Sequence, residues 1–237
     1  MKLYVYCLAE KIDLPAPPVS GISGARVDLI TVEDFSLLVS EFEGDSVSVT
    51  RENVLNHDNV IRSVLNGTTP LPFRFGSVVT TKQIAGYVNT HHANLKTNLA
   101  RVRGCFEMGV KIISNTDQTD SGSKSDEIGP GAAFLYRKQR EILGGEQRTE
   151  EAKQVAAWLS EQVEGLVKQE EVTLCATEKL IVAAAHLVSR QEVAKYRGRL
   201  AEARKTRPEL HFLVSGPWPP YTFSNIELEV KTRFGVS

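Results

Sequence analysis

The sequence predicts an α+β protein built as two domains. Three observations lead there. Runs of β-branched and aromatic residues of strand length alternate with longer segments whose apolar residues recur every three or four positions. From Cys105 onward the predicted order is β-α-β-β-α-β, the ferredoxin-like arrangement. In that part the two helical segments carry opposite charge: eight acids against three bases between Glu141 and Glu171, seven bases against two acids between Arg190 and Arg207. Residues 1–103 then form a small mixed sheet with two helices. Residues 104–237 form a modified ferredoxin-like (βαββαβ) sandwich that ends in a proline-aromatic ribbon and tail.

In chain order, Leu3–Ala9 is a buried first strand, and the proline- and glycine-broken stretch Glu10–Gly24 is a loop. Ala25–Val32 and Phe35–Phe42 are strands joined at Glu33-Asp34 as a hairpin. Gly44–Val49 is irregular or a short edge piece. Thr50 caps a helix that Asn66-Gly67 stops near Leu65, with Val54, His57, Ile61, Val64 and Leu65 on its apolar face. Pro70–Val79 is one edge or bulged strand, because Pro72 and Gly76 interrupt it. Thr80 or Thr81 caps a long helix to Val102 with His91 on its core stripe and His92 facing solvent, and Gly104 ends it.

Cys105–Ser114 is a strand, and Asn115–Gly129 a polar insertion expected to be a mobile loop. A helix over Ala132–Ile142 breaks at Gly144-Gly145 and resumes from Thr149 to about Gln169. Val172–Ala176 and Leu180–Val188 are strands. Ser189 caps a helix to Lys205 that Pro208 terminates. Opposed charges on the two helices are expected to help set their register, although exposed pairs contribute only about 0.2–1 kcal/mol each. Leu210–Ser215 is the last strand of the sheet. Ile226, Leu228 and Val230 alternate as a short amphipathic strand.

The ribbon Ser215–Phe223 (SGPWPPYTF) packs three prolines and three aromatics into nine residues. Prolines fix φ and lack an amide hydrogen, so the ribbon is stiff and loses little entropy on docking. One reading is a brace that fills a gap at a domain edge. The other is a ligand for an aromatic-lined groove on a partner.

Composition excludes several function classes. A net charge of −1 provides no field to recruit nucleic acid or an anionic membrane. No apolar run approaches the ~20 residues of a membrane helix, and MKLYVYCLAE is too short and polar for a signal peptide. Cys7, Cys105 and Cys175 are far apart in apolar runs, which suits buried reduced thiols and a cytoplasmic address. No dinucleotide, phosphate-loop, HExxH, CxxC or GxSxG motif occurs, so no catalytic, cofactor-binding or metal-binding residue is assigned and no cofactor is expected. His57 is expected to be a core histidine beside Asp58. His186 and His211 are expected in neighbouring strands. Arg74, between Phe73 and Phe75, is a cation inside an apolar strand and needs carboxylates if it loses water. A lock onto Asp58 or Glu52 is favoured over an anion or partner site. An RNA-binding role for the basic helix has only Tyr196 to stack bases.

Two stretches together, His57–Val79 (HDNVIRSVLNGTTPLPFRFGSVV) and Ser215–Phe223, resemble the gas vesicle protein GvpF/GvpL family. The opening LYVYCLAE, the FEMGVKI strand and the GPGAAFLYRKQRE segment are also similar to it, so the resemblance covers essentially the whole chain. It implies a non-enzymatic accessory or minor structural protein, located in the cytoplasm and at the gas vesicle, that assists assembly of the hydrophobic shell protein GvpA. GvpA and other gas vesicle accessory proteins are the implied partners, with no nucleic acid and no membrane. The contact residues expected on this reading are Pro72, Phe73, Arg74 and Phe75, together with Trp218, Pro219, Pro220 and Tyr221. The alternative is a small-molecule or cofactor-binding enzyme on a ferredoxin-like scaffold, with a pocket around His186, His211 and Arg197.

Overall fold

A computed structural model describes residues 1–10, 12, 19–114, 130–175, 177, 179–226 and 228, of which 130–144 as backbone only. The fold is α+β with antiparallel sheet pairing. It divides into two compact units: Met1–Glu107 with Pro217–Ser237, and Met108–Gly216. The ribbon, expected at the end of the second domain, therefore belongs to the first unit.

The first unit is organised around β1 (Lys2–Glu10), whose seven central residues are all buried. Such a strand must find partners for its amides on both edges. On one edge lies β3 (Phe35–Glu41), itself paired with β2 (Asp28–Val32). Glu33 adopts φ 52° in the two-residue turn between β2 and β3, the left-handed value a tight hairpin requires. On the other edge, the stretch expected as one strand is two: β4 (Leu71–Pro72) opposite Cys7 and Leu8, and β5 (Val78–Thr80) opposite Lys2 to Tyr4. Phe73 N donates to Tyr6 O at 2.9 Å, and Val5 N donates to Ser77 O at 2.9 Å. The ladder thus continues on either side of a turn at Arg74–Gly76. Gly76 takes φ +88° there, and its amide donates to the Tyr4 hydroxyl at 3.1 Å.

Two helices contact β1. The first, α1 (Arg51–Leu65), starts where Thr50 Oγ1 accepts from Asn53 N at 3.2 Å. Its buried face is Asn53, His57, Val60, Ile61 and Leu65, while Val54, expected inward, is 43% exposed. The second, α2 (Thr81–Val102), opens with a capping box between Thr80 and Gln83. Ile84, Val88, Leu95, Leu99 and Val102 form its core stripe. The histidines between them reverse the expectation. His91 is exposed and stacks on Tyr87 at 4.6 Å, whereas His92 is half-buried against Phe35, 3.3 Å from Asp34. Residues 91 and 92 straddle the stripe, so the choice between them depends on what β3 presents, which helical periodicity does not contain.

In the second unit, β6 (Cys105–Ser114), β7 (Val167–Leu174), β8 (Leu180–Ser189) and β9 (Leu210–Trp218) form a sheet in the order β7-β8-β6-β9. Helix α3 (Pro130–Gln162) runs unbroken through Gly144-Gly145. Thr149 does not cap it. Its hydroxyl donates back to Gly145 O at 2.9 Å, four residues upstream. Two glycines cost a helix interior only about 1 kcal/mol each, and the apolar face of the helix outweighs that. The helix stops seven residues short of the expected Gln169, and β7 begins correspondingly early. Helix α4 (Val193–Thr206) follows a short 3-10 turn at Arg190–Glu192, with no side-chain cap from Ser189.

Val155, Leu159 and Val163 of α3 and its following turn share one core with Tyr196 and Leu200 of α4 and with Met108, Val110 and Ile112 of β6. Arg199 of α4 donates to the Gln162 carbonyl at the end of α3, at 3.3 Å. The far end of β9 differs from expectation: the strand begins at Leu210 but continues past Ser215 through Gly216, Pro217 and Trp218. A proline is tolerated there because β9 is an edge strand, where a missing amide breaks no ladder. Of the alternating tail residues, Ile226 is buried and Leu228 half-buried. Val230 lies outside the described residues, as does the insertion Asn115–Gly129.

Gly21 is held where a side chain does not fit: a Cβ would lie 2.1 Å from the Tyr6 hydroxyl and 2.6 Å from Ser40 Oγ. Gly21→Ala is expected to lower the unfolding free energy by about 1–3 kcal/mol, measured by urea titration, whereas Ala in place of the unencumbered Gly86 is expected not to.

Candidate functional site

The ribbon from Pro217 onward and the residues that receive it form a polar constellation in the first unit. Asp58 and Arg62 stand one turn apart on α1, and Arg62 Nε donates to Asp58 Oδ2 at 2.5 Å. The Tyr221 hydroxyl donates to the other oxygen, Asp58 Oδ1, at 3.0 Å. The Arg62 guanidinium lies 4.0 Å over the Trp218 ring, a cation–π contact. The next residue is fixed from below: Glu107 accepts from Thr222 N at 2.7 Å and from Thr222 Oγ1 at 2.8 Å. Burial pushes the Glu107 carboxyl above its usual value, and those two bonds pull it back in part. Arg101 of α2 donates to the Phe223 carbonyl at 2.6 Å.

The ribbon turns on itself, with Tyr221 N to Pro219 O at 2.8 Å and Phe223 N to Pro220 O at 3.2 Å. This buries Phe223 to 1% and Ile226 to 4% exposure. Every aromatic of the ribbon except Tyr221 is thus at least half-buried in its own chain.

The predicted contact residues divide accordingly. Pro72, Phe73, Pro219 and Pro220 are buried, Phe75 and Trp218 are half-buried, and Arg74 and Tyr221 are exposed. Arg74 sits at the tip of the turn rather than inside a strand, and its carbonyl accepts from Ser77 N and Ser77 Oγ. Its side chain is exposed there, so it is not the desolvated strand cation that the sequence suggested. Asp58, one of the two carboxylates considered for Arg74, is shared by Arg62 and Tyr221. Sequence reasoning missed Arg62, Arg101 and Glu107. Arg62 carried a signal, its i,i+4 spacing from Asp58. Arg101 and Glu107 carried none, because their partners are over a hundred residues away.

His57 is a core residue as expected. Its Nδ1 lies 2.8 Å from the Tyr4 hydroxyl, in a ring of Tyr4, Tyr6 and Phe75. Burial lowers its pKa to about 4, against the opposing pull of the Phe73 backbone and Asp58. The second unit repeats the arrangement: His186 Nδ1 lies 2.6 Å from the Tyr196 hydroxyl, and burial again brings the pKa to about 4. His186 does not neighbour His211, because β6 separates β8 from β9. His211 and Arg197 are exposed, and Arg197 donates to the Gly216 carbonyl at 2.7 Å. The group of His186, His211 and Arg197 is therefore not assembled.

An open cleft of about 450 Å³ in the second unit is lined by Ser160, Glu161, Glu164 and Glu170 among others. Another of about 550 Å³ in the first unit is lined by Tyr87, His91, Asn94, Asn98 and Asn225 among others. Among the described residues, no group of three or more His, Cys, Asp or Glu could hold a metal ion, and no helix is long and apolar enough to cross a membrane.

The comparisons with known proteins agree across the chain. The model of the family described as gas vesicle synthesis protein GvpL/GvpF matches residues 2–225. Gas vesicle protein F1 of Halobacterium salinarum is 24% identical over 238 residues, covering 98% of this chain and 97% of that protein. Gas vesicle protein L2 of the same organism is 24% identical over 252 residues, covering 93% and 90%. The crystal structure of GvpF from Anabaena sp. superposes with a TM-score of 0.78 at 21% identity, over 96% of this chain and 97% of that one. GvpF from Microcystis aeruginosa gives 0.71 at 20% identity, over 95% and 99%. At such identities the two structures establish the shared α+β fold.

Two predictions follow from this geometry. Tyr221→Phe removes a hydrogen bond to a charged acceptor and is expected to cost about 1–2 kcal/mol in urea unfolding, with Thr222→Ala comparable. The two histidines contribute to the acid limb of stability. Their folded pKa values lie below the ordinary 6.5, so below pH 6.5 the unfolded chain takes up protons that the folded chain does not. Their contribution to stability is then full above about pH 6.5, falls as pH drops, and levels off below about pH 4. His57→Gln and His186→Gln are each expected to flatten that slope by up to one proton, about 1.4 kcal/mol per pH unit, in urea titrations run from pH 7 to 4.

Proposed function

Because this chain belongs to the GvpL/GvpF family of gas vesicle synthesis proteins, we propose that it is a non-enzymatic accessory or minor structural protein of the gas vesicle. It acts by protein contact, assisting assembly of the shell protein GvpA and limiting aggregation of free shell subunits in the cytoplasm. The observation that carries the reading is the family match over residues 2–225, which takes in both compact units. The physical need is clear. A subunit that must present a water-repelling face to a gas space associates indiscriminately when released alone, because large exposed apolar patches stick. A helper covers that face until the subunit is placed. The separation of His186 from His211 and the exposure of Arg197 favour contact over chemistry.

We also read the second unit as a ferredoxin-like sandwich. Its βαββαβ element order and the sheet order β7-β8-β6-β9 support that reading. The fold hosts many functions, so the assignment bears on architecture rather than on activity.

Of the eight predicted contact residues, Arg74 and Tyr221 offer side chains to a partner without local unfolding, with Phe75 and Trp218 beside them. Tyr221 also braces the ribbon, and Arg74, exposed at the tip of its turn, is taken as the probe. Co-expressed with GvpA and recovered through an affinity tag, the native chain is expected to retain GvpA. Arg74→Glu is expected to reduce the recovered GvpA at least fivefold, with a cooperative thermal unfolding transition showing that the variant is still folded. Absence of GvpA from the native pull-down at physiological salt would overturn the proposal.

A further inference from the structure

The first unit is discontinuous. Its receiving residues Asp58, Arg62, Arg101 and Glu107 precede the 109 residues of the second unit, and the ribbon follows them. Closing so long a loop in an unfolded chain is entropically unfavourable. The second unit relieves that difficulty by its topology. Its first and last strands, β6 and β9, are neighbours in the sheet, so the chain enters and leaves the unit side by side. The approach is close: Ser215 Oγ lies 3.5 Å from the Gly109 carbonyl, and a Cβ on Gly109 would meet Ser215 Oγ at 2.7 Å. Pairing of β6 with β9 therefore delivers Pro217 within a few residues of Glu107, the carboxylate that takes Thr222.

We propose that the second unit is a folding clamp for the first. Residues 108–216 form their sheet without help. The stiff ribbon is then presented to α1 and α2, and its docking is the last step, completing the first unit as a strap. The dependence runs one way: the first unit needs the second, and the second does not need the first. The surface that Tyr221 presents on the first unit thus exists only once the whole chain has been made and both steps have occurred.

The two tryptophans report the two steps separately. Trp158 lies in the second unit, 5.9 Å from Phe212, and Trp218 lies under Arg62 in the strap. The experiment uses the full chain in two forms, Trp158→Phe to read strap closure and Trp218→Phe to read the clamp. Each is refolded from urea by stopped flow with prolyl isomerase present, so that proline isomerisation does not limit docking. The expected result is a Trp218 phase at least threefold slower than the Trp158 phase. Equilibrium variants give the second arm. Leu200→Ala, in the clamp core, is expected to lower the urea midpoint of both signals. Tyr221→Ala is expected to lower the Trp218 midpoint and leave the Trp158 midpoint unchanged. A Trp218 phase as fast as or faster than that of Trp158 would overturn the proposal. So would a Leu200→Ala effect confined to Trp158, or a Tyr221→Ala effect that reached Trp158.

Discussion

A carboxylate can serve a phenol and a guanidinium at once only if all three are held in place, and at Asp58 that condition ties together residues 163 positions apart in the chain. Arg62 approaches from the same helix, Tyr221 from the far end of the sequence, and Trp218 fills the space beneath the guanidinium. The prolines of the ribbon keep its entropy loss low, so a modest set of polar contacts suffices to hold it. Below the clasp, Glu107 and Arg101 fix Thr222 and Phe223, and Phe223 and Ile226 go into the core. The first unit is completed by this return of the chain.

The same accounting of polar groups explains the sheet at the centre of that unit. β1 is buried along almost its whole length, so it needs partners on both edges. Two short strands supply one edge with a turn looped out between them, and Tyr4 ties the turn down through Gly76 while holding His57. The expulsion of Arg74 follows from this geometry. An arginine between two phenylalanines has a cheap place in a turn and an expensive one in a buried ladder.

Most elements were legible in the sequence because their signals are local. Thr50 marks a helix start, Thr80 marks another, Gly104 marks an end, and the strand-length apolar run Leu180–Val188 marks a strand. Errors came where a local rule competes with a distant partner. Gly144-Gly145 looked like a break but lies inside a helix whose apolar face outweighs two glycines. Pro217 looked like an end of strand but sits on a free sheet edge. The site was legible only in part: Asp58, Trp218 and Tyr221 were marked by residue type, whereas their joining with Arg62 and Glu107 depends on a chain crossing that no spacing encodes. The pairing of His186 with Tyr196 was likewise hidden, since ten residues separate them across a strand-to-helix turn.

The account rests on the ribbon being an integral part of the first unit in solution. A proton–proton nuclear Overhauser measurement between the Trp218 indole and the Arg62 side chain tests it most directly, in the full-length chain at neutral pH. The account predicts a clear cross-peak, accompanied by one from the Tyr221 ring to α1. Narrow, averaged Trp218 resonances with no contact to α1 would contradict it.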